Sequence, residues 1–165
     1  MLTPAERRLH TEGGFTLIEL LVVMIIIAIL MAVAVPTFLK QKQSAVATKA
    51  KANITQVKTA IESCASGNVS GLINSNAAGE RQCVTIAELQ ADEPSLTPLF
   101  DTSNPEHIVI NPIAGGAGYT IVANYIAASG TPATFTYEND GSGNITKTCV
   151  QNADTQKSCP TGTWS

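Results

Sequence analysis

The spacing of hydrophobic and polar positions changes several times along the chain. Residues 1–14 are mixed and polar, whereas the 21 residues from 15 to 35 are apolar except for Thr16 and Glu19. At about 1.5 Å per residue, a helix over that run spans roughly 30 Å, enough to cross a bilayer. Pro36 stands where the run ends; it removes a backbone donor and clashes with the preceding turn, so a kink is expected there. From 37 to 63 the apolar positions recur three and four apart, at Val46 or Ala47, Ala50, Ile54, Val57 and Ile61, with Lys49, Lys51 and Lys58 off that line. This spacing predicts an amphipathic helix with one buried stripe. Small residues at 45, 47, 50 and 52 permit close helix contact, and Ser66-Gly67-Asn68 and Ser70-Gly71 end the helix.

Beyond the helix the pattern shortens. Residues 66–82 read as a linker rich in Gly, Ser and Asn, and 84–90 as a short helix with Thr85 as N-cap and Glu88 three residues on. Pro94, Pro98, Pro105 and Pro112 punctuate an irregular section. Alternation then predicts strands at Ile108-Val109-Ile110, 119–127, 134–138 and 144–150. Asn139-Asp140-Gly141-Ser142-Gly143 is a turn signal that makes the last two strands an antiparallel hairpin. The expected class is α+β: a long N-terminal helix, half membrane-type and half amphipathic, packed on a small antiparallel sheet.

Composition and charge change this picture in two places. The 44% hydrophobic content is concentrated in the apolar run, leaving a head with few aromatics that gains from covalent staples. The net charge of -3 is unevenly divided: 37–63 carries five Lys against Glu62, and 64–165 three basic residues against nine acidic ones. A basic stalk and an acidic head suit mutual attraction between copies as well as solubility. No direct nucleic-acid site is evident, because the lysines lack aromatic interleaving.

The four cysteines, Cys64, Cys83, Cys149 and Cys159, all lie beyond the apolar run and allow three pairings. Cys64–Cys83 and Cys149–Cys159 are favoured because each closes a local loop. A zinc site is disfavoured, since there is no Cys-x-x-Cys and the histidines are only His10 and His107. Asp140, Ser142 and Asn144 lack the clustered second acid that calcium wants, so they read as a turn. Ala114-Gly115-Gly116-Ala117-Gly118 precedes a strand, whereas a phosphate loop precedes a helix. Three glycosylation sequons begin at Asn53, Asn68 and Asn144. No catalytic constellation, metal site or cofactor site is expected.

Gly13-Gly14-Phe15-Thr16-Leu17-Ile18-Glu19, with the apolar run to Val35-Pro36 behind it, resembles the N-terminus of type IV prepilins. A secretory signal places its cut after the apolar region, and here the resemblance places it before. It implies cleavage after Gly14 by prepilin peptidase, N-methylation of Phe15, and pairing of Glu19 with the Phe15 amine of a neighbouring subunit during assembly. The implied domains are a cleaved leader, 1–14; an N-terminal helix, 15–63, divided into membrane segment and filament core (15–35) and stalk (36–63); and a globular head, 64–165. The implied fold is that of type IV pilins, and 149–159 resembles their disulfide-bounded C-terminal loop.

The implied partners are further copies of the chain, the peptidase and N-methyltransferase, the pilus assembly platform and, before assembly, the membrane. The precursor is then a single-pass protein of the cytoplasmic membrane and the product an extracellular filament. Charge alone does not orient the span: Lys40, Lys42, Lys49 and Lys51 outnumber Arg7 and Arg8, so a cytoplasmic leader follows from the resemblance. Where many pilins have a mid-segment Gly, this chain has Ala28, which favours helix by about 1 kcal/mol. The expected function is a structural pilus subunit, not an enzyme. Pseudopilins of type II secretion or competence share the motif, and a signal-anchored surface-binding protein is the reading from another class.

Overall fold

The computed structural model describes residues 14–75, 77–113, 115, 117–126, 130–150 and 162–164. Its elements are α1 (Leu17–Ser66), α2 (Ile86–Asp92), a 3-10 helix (Pro94–Leu99), β1 (Ile108–Pro112), β2 (Tyr119–Ile126), β3 (Pro132–Asn139) and β4 (Ile145–Cys149). The chain divides into two compact units, 1–38 and 39–165. The helical pattern of α1 continues through Ala28 and Pro36, and it ends at Ser66, three residues beyond the expected limit.

In the first unit, Leu17–Phe38 has a mean hydropathy of 3.1 and none of it is buried. Length and composition suit a membrane span, and burial shows that this stretch is no soluble core helix. Near its end the Thr37 hydroxyl donates back to the carbonyls of Ala34 (2.8 Å) and Val33 (3.3 Å). The helix thereby keeps a polar side chain satisfied without water.

The second unit folds around the predicted stripe. Ala47, Ala50, Ile54, Val57 and Ile61 are buried, joined by Cys64 and Ala65, and they share one core with the inward face of the sheet. The sheet is antiparallel in the order β1-β2-β3-β4. Alternation places Tyr119, Ile121, Ala123 and Tyr125 of β2 and Ala133, Phe135 and Tyr137 of β3 on the core side. The result is an α+β architecture consistent with the pilin fold.

Two local expectations need correction. Thr85 is the N-cap of α2 by position, but its side chain does not cap; its hydroxyl donates to the Gln82 carbonyl at 2.9 Å. Glu88 is drawn away by Arg81, at 2.6 Å. The proline-punctuated section is also more regular than expected, because Pro94 opens the 3-10 helix, where its missing N–H costs nothing.

The β3–β4 turn packs closely on Ala117 and Gly118, just before β2. Gly141 in the β3–β4 turn has φ +80°, and a Cβ there would lie 2.7 Å from Ala117. The two turns therefore touch backbone to backbone, which only glycine at 141 allows. Asp140 closes the β3–β4 turn by accepting from the Ser142 N–H (2.7 Å) and the Asn144 side chain (2.7 Å).

Candidate functional site

The N-terminal motif is built on the start of α1. The Thr16 carbonyl accepts the first helical hydrogen bond, from the Leu20 N–H at 3.3 Å. Its hydroxyl oxygen accepts from the Glu19 N–H at 3.3 Å. Glu19 answers with Oε2, which accepts from the Thr16 N–H (3.2 Å) and the Thr16 hydroxyl (3.0 Å). This is a reciprocal capping box, and the carboxylate lies at the positive end of the helix dipole. Within a single copy, Glu19 thus already has hydrogen-bond donors. The Thr-x-x-Glu spacing at 16–19 is the sequence signal for this box, in addition to the charge that seeks a partner on another copy.

Phe15 projects from the structure with 88% of its surface exposed. Gly14 is not held by packing, since a Cβ there would meet nothing within 4 Å and its φ is outside the left-handed region. No neighbour among the described residues explains a glycine at 14. Pro36 lies inside α1, directly before the back-bonded Thr37.

The head carries a second cluster at the end of α1. Cys64 and Cys83 are joined by a disulfide, with Cα atoms 5.6 Å apart. Between them Asn68 is buried; its amide donates to the Leu72 carbonyl (2.7 Å) and the Arg81 carbonyl (2.9 Å), and its oxygen accepts from the Arg81 N–H (2.9 Å). The Asn68 sequon is therefore a structural asparagine whose nitrogen is already engaged. Glu80 accepts from the Ser70 hydroxyl (2.6 Å) and N–H (2.7 Å), and bonds from Ser70 and Ser75 hold its carboxyl below the usual value. Arg81 binds Asp92 at 2.7 Å as well as Glu88; the two acids raise the guanidinium pKa further.

Cys149 is disulfide-bonded, while Cys159, its expected partner, lies outside the described residues, as does the leader before Gly14. Trp164 anchors the end of the described chain. The Trp164 indole N–H donates to the Thr136 carbonyl at 3.0 Å, its ring meets Phe135 edge-on, and the Lys51 and Lys147 amines lie over it at 5.7 and 5.0 Å. A lone Trp has no periodic context that could announce these contacts.

Chemically, the described residues offer recognition and packing. No group of three or more His, Cys, Asp or Glu among them is placed to hold a metal ion.

Comparison with known proteins agrees with the N-terminal geometry. The family model described as the prokaryotic N-terminal methylation motif matches residues 9–35. Searches of curated proteins and of solved structures found no match. Behind Gly14-Phe15 stands a capped, exposed apolar helix, and the model matched over its first part is the prepilin methylation motif that type IV pilins and pseudopilins share.

Proposed function

We propose that the chain is a structural subunit of a type IV pilus. It enters the cytoplasmic membrane as a single-pass precursor, is cut after Gly14 and methylated at Phe15, and polymerises through its N-terminal helix into an extracellular filament. The observation that carries this reading is the stretch Leu17–Phe38, wholly exposed within one copy and apolar throughout apart from Glu19 and Thr37. Such a surface requires lipid or further helices. A subunit dissolved in lipid can exchange lipid contacts for helix contacts at little cost, so one segment serves first as anchor and then as filament core.

Glu19 gives the exchange its register. An ionised carboxylate in a spanning helix costs on the order of 2.5–3.5 kcal/mol at the membrane centre and less near the interface. In the membrane the Thr16–Glu19 box supplies donors to that carboxylate. Cleavage creates a cationic amine at Phe15, and in the filament this amine on one copy pairs with Glu19 of another. A misregistered copy leaves both charges unpaired in an apolar core. Pro36 bends the helix where membrane segment meets stalk, and Cys64–Cys83 and Cys149–Cys159 staple the head. The proposed domains remain 1–14, 15–63 and 64–165; the assembly platform and the processing enzyme are partners, and the role is not enzymatic.

The test is the mature N-terminus together with the filament. Mass spectrometry of protein sheared from cells is expected to give a chain beginning at methylated Phe15, and negative staining to show filaments that vanish on deletion. A secretion defect without long filaments identifies a pseudopilin instead, and an intact Met1 in the membrane fraction overturns both.

A further inference from the structure

Within the 39–165 unit, the outward side of α1 and the edge formed by α2 and the 3-10 helix enclose a groove of about 730 Å³. Ala52, Thr55, Thr59 and Ser63 line its floor, and Asp92 and Glu93 stand in its wall. The floor runs for about 16 Å along the helix. Thr55 and Thr59 turn their hydroxyls back to the carbonyls of Lys51 (3.0 Å) and Thr55 (2.9 Å). What they present outward is therefore a smooth, small-residue surface against which another helix can lie closely.

The charges indicate the occupant. In the wall, Arg81 is shared between Asp92 and Glu88, whereas the Glu93 carboxylate accepts from the Ser95 hydroxyl at 3.4 Å. The wall is net negative, and Glu93 has no cation partner among the described residues. On the stalk, Lys49 pairs with Glu106 (3.1 Å) and Lys58 with Glu62 (3.2 Å), and Lys51 lies over Phe135 and Trp164. Lys42 is exposed and has no acid partner among the described residues. Lys42 cannot serve Glu93 of its own chain. Glu93 is tied to Ser95, which contacts Gln56 (3.4 Å), and Gln56 stands roughly 20 Å further along α1 than residue 42.

We infer that the groove receives the lysine-bearing stretch 40–51 of a second copy, with Lys42 of that copy against Glu93. Copies are then staggered along α1 by roughly 15–30 Å, the distance from residue 42 to the two ends of the groove floor. This contact lies in the 39–165 unit and adds a charge-specific register to the apolar one. It rests on the filament reading, because it needs copies held side by side.

Charge reversal and cysteine trapping in the full chain test it. Glu93→Lys and Lys42→Glu are each expected to lower sheared filament at least ten-fold, with cleavage after Gly14 and membrane level unchanged. The double reversal is expected to restore filament. Separately, Lys42→Cys combined with Glu93→Cys is expected to give a reducible ladder at multiples of the subunit mass, absent from either single variant. Wild-type filament yield from both single reversals overturns the inference, as does a double-cysteine variant that forms filaments but no ladder, or one that traps a protein of another mass. These results leave the filament reading standing. Failure of the wild-type chain to be cut after Gly14 overturns that reading and the inference with it.

Discussion

Glutamine at position 19 keeps an oxygen for the Thr16 N–H but removes the charge, whereas valine removes both. Glu19→Gln is therefore expected to leave the start of α1 intact, read as amide-exchange protection at Leu20 in detergent micelles, while filament yield falls at least ten-fold. Glu19→Val should lose protection as well. Thr16→Ala removes the other half of the box and should cost about 1 kcal/mol locally. Normal filaments from Glu19→Gln would show that the box, and not the charge, is what position 19 supplies. Gly14→Val has no neighbour to disturb among the described residues, so blocked processing with an unchanged fold is expected, measured by mass of the membrane-fraction protein. At Asn68 the outcome is different: Asn68→Ala strands the Arg81 N–H and two carbonyls, at an expected cost of about 1–3 kcal/mol in thermal unfolding.

At the scale of the element, α1 shows how one helix answers to two environments. Its second half is legible because the apolar positions recur at 3-4 spacing, and burial of Ala47, Ala50, Ile54, Val57 and Ile61 follows that pattern. Ile61→Ala removes a fully buried side chain and should destabilise the 39–165 unit by about 2–5 kcal/mol, seen in denaturant titration of the full chain in detergent. The first half has no stripe, since lipid or neighbouring helices can meet it from every side.

The β3–β4 hairpin was equally readable, from its turn signal. What its sequence left open was the contact of that turn with Ala117 and Gly118, so Gly141→Ala is expected to be more damaging than Gly143→Ala. Both glycines have positive φ, but only at 141 would the added Cβ strike another loop. Asp140 makes the turn sensitive to acid. The Asn144 side chain, then the Ser142 N–H, hold its carboxyl below the ordinary 3.8. Its contribution is therefore present above that value and lost as pH falls through the lower folded one, with faster amide exchange at Ser142 and Asn144 as the measurement.

For the whole molecule, charge is divided between a basic stalk and an acidic head, and a disulfide ties the end of α1 to the head. The Cys64–Cys83 disulfide closes a short loop at the end of α1 and should contribute about 2–4 kcal/mol, measured as the fall in unfolding free energy when both are replaced by Ser. In the core, burial pushes the Tyr119 and Tyr137 phenols upward, so both stay neutral where the surface carboxylates are charged. The acids outside form local networks, Arg81 with Glu88 and Asp92, while Lys42 and Glu93 have no partner of opposite charge among the described residues. An assembly that brings copies together can pair them.

By itself the sequence determined whatever depends on local order. The motif at 14–19, the apolar run, the stripe on α1, the strands and the β3–β4 turn are short-range patterns, legible because helix and strand periods and turn chemistry act over a few residues. Only the tertiary structure decided which distant groups meet. Trp164 reaches Thr136 and Phe135, Arg81 leaves Glu88 unable to cap, Asn68 is enclosed by the loop it stabilises, and a groove forms between α1 and the 3-10 edge. These follow from chain packing across long separations, which no spacing along the sequence encodes.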